Sequence, residues 1–203
     1  GAVTPIGNTV KEMWAGVREG KCGIDKITKY DISNRKVKVA AEVKNLPVEE
    51  LVDKHDLRKM DLFCTFAMMA ADEAIADSGL SFEGEEDKCG VIVTSGIGGI
   101  STIEKEYSKG LEKGFDRVSP YFIPSVITNM AAGRIAIKHN LQGMCSCVVT
   151  ACAGGTNAVG DSFRQIRDGY ADVMVCGGAE AGITEISVGG FTTSKALCQS
   201  EDP

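Results

Sequence analysis

The sequence predicts an α/β fold, in which helices cover both faces of a mostly parallel sheet. Three short apolar segments indicate buried strands, at residues 89–94, 145–150 and 172–176. Helical segments separate them, and apolar strands that alternate with helices are typical of parallel pairing with right-handed crossovers. The chain also contains 24 glycines, which cluster where the predicted strands end and the next helices begin.

The helices are predicted from the period of the apolar residues and from their capping signals. Asn8 or Thr9 can cap a first helix, which Gly20 ends, and Gly79 ends the second. Residues 21–50 are predicted as loop with a short strand, and residues 110–120 as loop. The five predicted helices cover residues 10–19, 57–78, 100–109, 124–140 and 151–168.

The composition indicates a globular chain and excludes two classes of function. The 203 residues suffice for one large domain or two small ones, and 43% are hydrophobic and 25% charged. The net charge of −6 argues against a general nucleic-acid binder, which carries broad basic patches. No apolar run is long enough to span a membrane, and the first residues lack the pattern of a signal peptide.

The eight cysteines indicate a reducing compartment, so we expect a cytoplasmic protein. Most of them lie in apolar runs, as buried free thiols do, and no Cys-x-x-Cys pair occurs. Cys145 and Cys147 have a spacing unlike that of a zinc knuckle, and no histidine lies close in sequence. We therefore expect no metal site.

The sharpest motif surrounds Cys152, where a predicted strand runs directly into a helix. In the first turn of a helix, unpaired N–H groups and the helix dipole favour a negative charge, and the thiolate is the nucleophilic form of cysteine. The same N–H groups can hold the oxyanion of an attacked thioester. Gly154 and Gly155 allow close helix packing and leave room for a substrate. Spacing alone leaves the alternative open that Cys152 is one more buried cysteine.

The glycine turn at residues 96–99 has a nucleotide-binding interpretation and a plainer one. It follows a strand and precedes a helix, but Ser101 stands where the G-x-G-x-x-G fingerprint needs glycine. No G-K-[ST] follows it either, which excludes a P-loop. A tight strand-to-helix turn is the better interpretation.

The two histidines do not supply Cys152 with a general base. His139 ends a predicted helix, where a cation is favourable, and His55 lies in a basic cluster that we define as Lys54, His55, Arg58 and Lys59. Either Cys152 is not catalytic, or its partners lie outside this chain. The basic cluster is either a solvated helix face or a docking site for an acidic partner.

Five motifs, in order along the chain, resemble the β-ketoacyl-[acyl-carrier-protein] synthases, and the elongating synthase II type most of all. The resemblance covers essentially the whole chain. The motifs are Thr-Ser-Gly-Ile-Gly-Gly at 94–99, Ser-Pro-Tyr-Phe-Ile-Pro-Ser at 119–125, Thr-Ala-Cys-Ala-Gly-Gly-Thr-Asn-Ala at 150–158, Val-Cys-Gly-Gly-Ala-Glu at 175–180 and Gly-Gly-Phe-Thr-Thr-Ser-Lys-Ala-Leu at 189–197.

The resemblance implies a thiolase-like layered αβαβα fold built from two similar α/β halves. Residues 1–203 would be the N-terminal ketosynthase half-domain, with the nucleophile helix buried and the family's first strand absent because it precedes Gly1. The resemblance also implies a homodimer that pairs through the strand at 145–150. The implied reaction is a decarboxylating Claisen condensation through an acyl-Cys152 intermediate. No cofactor is implied beyond the phosphopantetheine of acyl carrier protein, which carries the substrates.

The resemblance assigns further roles by position. Ile97 matches the residue that closes the floor of the acyl pocket, and Phe122 lies near the same pocket. His55 replaces a lysine of the family, so its contact would be weaker or pH-dependent. The positions that would grip the acidic carrier protein are His55, Arg58, Lys59, Arg117 and Lys195.

Such enzymes run to about twice this length, in line with large α/β chains. The two catalytic histidines, the catalytic lysine and the second oxyanion donor are implied to lie beyond Pro203. We therefore expect this segment alone to be inactive and to pair with the missing C-terminal half. The alternatives are a polyketide-type ketosynthase domain, a non-catalytic partner subunit, which the presence of Cys152 disfavours, and a thiolase-like binding module.

Overall fold

The computed structural model describes residues 1–200, apart from the side chains at 50 and 51. The strands are β1 (Asp25–Lys26), β2 (Val39–Ala40), β3 (Cys89–Thr94), β4 (Cys145–Ser146) and β5 (Val173–Gly178). The helices are α1 (Val10–Arg18), α2 (Val48–Leu51), α3 (Lys54–Leu57), α4 (Leu62–Ser78), α5 (Ile100–Lys113), α6 (Phe122–Val126), α7 (Met130–His139), α8 (Gly154–Arg167) and α9 (Glu185–Thr193).

The centre of the described fold is a parallel sheet with the strand order β4-β3-β5. All six residues of β3 pair with β5, from Cys89 opposite Val173 to Thr94 opposite Gly178. The strands β1 and β2 form a separate antiparallel pair within residues 21–50, where a short strand was predicted. The predicted α/β class with a parallel sheet is confirmed.

Helices cover the two faces of this sheet because the side chains of β3 alternate between them. On one face Val91 and Val93 are buried against α4 and α7, with Phe63 and Ile135 at 0% and 1% exposure. On the other face the start of α8 lies against Thr94. These layers place the N-terminus of α8 at the carboxyl ends of the parallel strands, where α/β folds place their ligand sites.

The predicted second helix was wrong at its start, because two aspartates cap two separate helices. Asp53 accepts a hydrogen bond from the amide of His55 and begins α3, whereas Asp61 accepts one from Phe63 and begins α4. The basic cluster therefore lies on and just after the four-residue helix α3, not in the first turn of the long helix. Gly79, with a φ of 64°, ends α4 as predicted.

Two further boundaries differ from the prediction. The helix predicted at 124–140 is interrupted at Ile127, whose extended backbone (ψ 136°) separates α6 from α7. The strand predicted at 145–150 has only two residues, Cys145–Ser146, although the neighbouring β3 continues two residues further to Thr94. Beyond Ser146 the Thr94 hydroxyl, rather than a backbone amide, donates to the Val148 carbonyl.

All eight cysteines are free, but the expectation that most are buried was wrong. Cys64 and Cys89 are buried, whereas five others are exposed. Cys176 lies on β5, which has a neighbouring strand on one side only within the described sheet, so an apolar run there is not fully covered. No helix in the described part of the chain has the length and apolar character needed to cross a membrane.

Candidate active site around Cys152

Cys152 stands on a tight elbow between the end of the sheet and α8. A 3₁₀ turn covers Ala151–Ala153, and α8 begins at Gly154. Ala151 has a φ of 48°, a left-handed conformation that costs a non-glycine residue about 1–3 kcal/mol. The thiol of Cys152 is exposed rather than buried. Cys152 thus lies one short turn before α8, slightly earlier than the predicted first turn of the helix.

The amides at the start of α8 are not capped by a side chain, since Ala153 occupies the N-cap position. The 3₁₀ turn already satisfies two amides next to Cys152, since the Ala153 amide donates to the Thr150 carbonyl and the Gly154 amide to the Ala151 carbonyl. What the start of α8 offers Cys152 is therefore mainly the positive end of the helix dipole, which favours a negative charge on sulfur or on an attacked carbonyl oxygen.

The predicted close packing of α8 is present at Gly154. A Cβ atom on Gly154 would lie 2.7 Å from Thr94 Oγ1, inside normal contact distance. A Cβ atom on Gly178 would lie 3.3 Å from the Cα of Gly155, so the helix also approaches the end of β5 closely. Glycine at 154 therefore lets the elbow sit directly on the carboxyl ends of β3 and β5.

Cys152 lines a mainly apolar cavity of about 850 Å³. Such a volume lies in the range of small-molecule sites. An ion pair between Arg35 and Glu185 ties the loop before β2 to the start of α9, and both segments form walls. The apolar side chains around the cavity include Val37, Val39, Ile97, Ile183, Val188 and Phe191.

The structure places the predicted pocket residues differently. Ile97 lines the cavity together with Cys152. Phe122 is half-buried at the start of α6 and is not among the residues that line this cavity. Its assignment to the acyl pocket stays a prediction from the resemblance.

Glu180 is a site residue to which the sequence analysis gave no role. Its carboxylate accepts hydrogen bonds from Ser95 Oγ at 2.9 Å, from the amide of Gly96 at 2.8 Å and from that of Ile97 at 3.1 Å. The glycine turn therefore binds the carboxylate of the exposed residue Glu180 with the amides that a phosphate would need. Because Thr94 pairs with Gly178, the residues after these two strands meet at one edge, which is the signal that could have identified Glu180.

The predicted docking residues fall into three places. Lys59 Nζ lies 2.9 Å from His55 Nδ1 and 5.6 Å from the centre of the Tyr121 ring. Arg117 is exposed in a separate 3₁₀ turn, Phe115–Arg117, and no described contact joins its side chain to His55 or Lys59. Lys195, just after α9, has no described contact that joins it to this group.

The surface of the basic cluster is partly neutralised. Lys54 pairs with Glu49 at 3.0 Å, and Lys59 lies 3.7 Å from Asp56. Arg58 is exposed and makes no ion pair with any residue that the structure describes. The guanidinium of Arg58 is therefore available to a partner.

Neither histidine lines the cavity of Cys152. His139 Nε2 lies 2.7 Å from Asp72 Oδ1, and Lys138 binds the other oxygen of that carboxylate at 2.5 Å. This ion pair fastens the end of α7 to α4, which is a structural role. Within residues 1–200, no cluster of His, Cys, Asp and Glu side chains is placed to hold a metal ion.

The fold and the site define a ketosynthase-type half-domain: a parallel sheet whose strands end at a cysteine elbow above an apolar cavity. The family model described as "Beta-ketoacyl synthase, N-terminal domain" matches residues 1–203, and the chain belongs to this family. The resemblance found in the five motifs is thereby confirmed.

Curated relatives support the same assignment. The chain is 43% identical to 3-oxoacyl-[acyl-carrier-protein] synthase 2 of Synechocystis sp. over 205 residues, which cover all of this chain and 49% of that protein. It is 43% identical to the protein of the same name from Staphylococcus aureus, with 100% and 50% coverage. The chain thus spans about half the length of the curated relatives it matches.

Solved structures match the fold. The ishigamide ketosynthase/chain length factor superposes with a TM-score of 0.89 at 27% identity, over 98% of this chain and 50% of that one. A β-ketoacyl synthase from Burkholderia phymatum STM815 gives a TM-score of 0.84 at 24% identity, with 100% and 50% coverage, and supports the fold alone. The observed α/β half therefore corresponds to half of each matched structure.

Proposed function

We propose that this chain is the N-terminal half of an elongating β-ketoacyl synthase in which Cys152 accepts the acyl group. The thiolate of Cys152 attacks the thioester carbonyl of an acyl carrier protein, a C–S bond forms, and the phosphopantetheine thiolate leaves. Malonyl carrier protein then loses CO₂, and its carbanion attacks the acyl-Cys152 thioester. The β-ketoacyl product leaves on the carrier protein, and Cys152 is released as the thiolate.

The observation that carries this proposal is the position of Cys152. Its exposed thiol lines the cavity with Ile97 and stands beside the uncapped N-terminus of α8. The positive end of a helix dipole is the kind of group that stabilises an oxyanion during acyl transfer. The apolar walls suit an acyl chain, and their exclusion of water would protect the thioester.

Acylation of Cys152 is tested by intact mass and peptide mapping. The full-length polypeptide that contains this chain is incubated with an acyl carrier protein that carries a radiolabelled or heavy acyl thioester. We expect one acyl group on Cys152, none on the buried Cys64, and none in a Cys152→Ala variant. Acyl groups distributed over several cysteines, or retained in Cys152→Ala, would refute the nucleophile assignment.

Condensation requires groups beyond the described residues, so we propose that residues 1–203 alone do not condense. Neither histidine stands at the cavity. An apolar stripe on α8 supports the presence of a covering half: Val159, Phe163 and Ile166 recur at helical spacing with exposures of 53%, 61% and 45%. Turnover of acyl and malonyl carrier proteins by the isolated segment would contradict this proposal.

We also propose a homodimer through residues 145–150. Within the described sheet β4 pairs with β3 on one side only, and Val149 is 54% exposed. An unpaired strand edge is a template for a strand of a second copy. Light scattering of the full-length protein is expected to give twice the chain mass, and Val149→Lys is expected to shift it toward the monomer.

Acyl carrier protein is the proposed partner of the basic residues His55, Arg58, Lys59, Arg117 and Lys195. Basic side chains at the surface of a chain of net charge −6 suit an acidic partner. The eight free cysteines support a reducing compartment, and we propose the cytosol.

A polyketide-type ketosynthase is the second candidate function. One matched structure carries such a title, a type II PKS acyl-carrier protein in complex with its ketosynthase, at 20% identity and a TM-score of 0.78, which supports the fold alone. The identity of 43% to the synthase 2 proteins favours fatty-acid elongation. Comparison of plain acyl and β-ketoacyl primers on the full-length enzyme separates the two candidates.

A further inference from the structure

Glu180 is the charged group at the cavity that the proposed mechanism leaves unused. Its carboxylate binds the hydroxyl of Ser95 and the amides of Gly96 and Ile97. The next amide, that of Gly98, binds Ser95 Oγ at 3.0 Å. The donors of residues 96–98 therefore converge on a single carboxylate, either directly or through the buried Ser95.

This arrangement fixes the backbone at the residue that faces the acyl cavity. Successive amides that point at one oxygen form an anion-binding concavity, and here a side chain of the same protein fills it. Hydrogen bonds to a charged acceptor are about twice as strong as neutral ones, so the turn is held more firmly than an ordinary glycine turn. The amide of Ile97 is bound at the point where its side chain enters the cavity wall.

We propose that Glu180 is a positioning residue that sets the range of acyl lengths the enzyme accepts. By holding the turn at 95–97, its carboxylate keeps Ile97 at a defined depth in the cavity. This inference rests on the proposed function, in which Ile97 lines the acyl cavity and Cys152 receives the acyl group. A purely structural role would lower the reaction rate equally for all acyl lengths, whereas a positioning role changes the ratio between lengths.

The test measures the acylation rate of Cys152 in the full-length polypeptide, with a medium and a long saturated acyl carrier thioester. Glu180→Ala removes the acceptor of three hydrogen bonds. We expect the preference between the two acyl lengths to flatten by at least about fivefold, the scale on which pocket fit discriminates methylenes. Glu180→Gln keeps an oxygen that accepts both amides and is expected to restore most of the preference. Glu112→Ala, at an exposed glutamate of α5, is the matched control and is expected to leave the preference between the two acyl lengths unchanged.

The outcomes separate this inference from the proposal on which it rests. If the unmodified protein is not acylated at Cys152, the proposed function itself fails. If it is acylated, and Glu180→Ala slows both thioesters by the same factor, Glu180 is structural and the inference is overturned. Should Glu180→Ala not fold, Ser95→Ala carries the test, since it removes one of the three donors. It is expected to flatten the preference by about twofold, and an unchanged ratio overturns the inference.

Discussion

Replacement of Asp61 by alanine is expected to lower the free energy of unfolding by about 2–4 kcal/mol. The Asp61 side chain caps α4 and is only 3% exposed. One carboxylate oxygen accepts hydrogen bonds from Ser101 Oγ at 2.6 Å, from the Thr102 amide at 2.9 Å and from Thr102 Oγ1 at 2.7 Å. The other oxygen accepts the Phe63 amide at 3.4 Å. The carboxylate thus joins the start of α4 to the start of α5.

The magnitude follows from what alanine would leave behind. Loss of a helix cap costs about 1 kcal/mol, and a buried donor left without its charged acceptor costs about 1–3 kcal/mol. The two hydroxyls can rotate toward other acceptors, but the amide of Thr102 cannot. The total is therefore about 2–4 kcal/mol, well below the sum of four full hydrogen bonds.

The assay is equilibrium unfolding in urea, with Asp53→Ala as the matched control. Asp53 is an exposed aspartate that caps α3 through a single hydrogen bond, from the amide of His55 at 2.7 Å. We expect this variant to lose only about 0.5–1 kcal/mol. If Asp61→Ala were no more destabilising than Asp53→Ala, the link between the two helix starts would carry no stability and the reasoning would be refuted.

Three further predictions follow from packing, ionisation and charge. Gly154→Ala is expected to lower the unfolding free energy by about 2 kcal/mol, because its Cβ would lie 2.7 Å from the buried Thr94. Gly160→Ala, on the same helix but in open space, is expected to raise the unfolding free energy by about 0.5–1 kcal/mol. Thermal unfolding of the two variants measures this difference. Burial raises the pKa of Cys64 from 9.0 to about 12, so its contribution to stability is complete below pH 9 and falls as the pH rises toward 12, where the unfolded thiol ionises and the folded one does not. Denaturation at several pH values should show this loss in the unmodified protein and a shallower one in Cys64→Ala. Arg58→Glu is expected to weaken carrier-protein binding about three- to tenfold at low salt and much less at high salt. The control Arg18→Glu, on α1, is expected to leave binding unchanged in the same titration. An equal effect of both substitutions would exclude a specific docking surface.

The sequence was most informative where local chemistry decides the structure. The segment 89–94 is an apolar run bounded by polar residues and glycine, and it forms the fully buried strand β3. Gly79 ends α4 because its left-handed φ costs glycine little. The elbow at Cys152 was predictable for the same reason, since a short apolar run followed directly by Gly154 and Gly155 indicates a strand that turns into a close-packed helix.

The prediction was wrong where a distant residue decides. Asp61 interrupts a continuous apolar period. Its side chain accepts hydrogen bonds from Ser101 and Thr102, which lie 40 and 41 positions later in the sequence, and these bonds stabilise a helix start that the apolar period does not reveal. The strand at 145–150 ends at Ser146, and the Val148 carbonyl accepts from the Thr94 hydroxyl instead of a backbone amide, a contact between residues 54 positions apart. Exposure of Cys176 likewise depends on the position of its strand in the sheet.

The residues of the candidate site also differ in whether the sequence alone could identify them. Cys152 and Ile97 were identified from motifs, and the structure brings them to one cavity. The wall around Val37 and the carboxylate of Glu180 come from segments far away in sequence, so spacing along the chain could not connect them to the site. The parallel register of β3 and β5 supplies the connection to Glu180.

The left-handed backbone at Ala151 has a consequence for how this site tolerates mutation. A single nucleotide change in an alanine codon can produce glycine, serine, threonine, valine, proline, aspartate or glutamate. Glycine adopts a φ of 48° without strain, whereas valine and threonine carry a branched Cβ and proline is locked near −65°. Three of these seven genetic neighbours would therefore distort the elbow before they touched the thiol. Mutation of the residue in front of the nucleophile can thus inactivate the site while the nucleophile itself is unchanged.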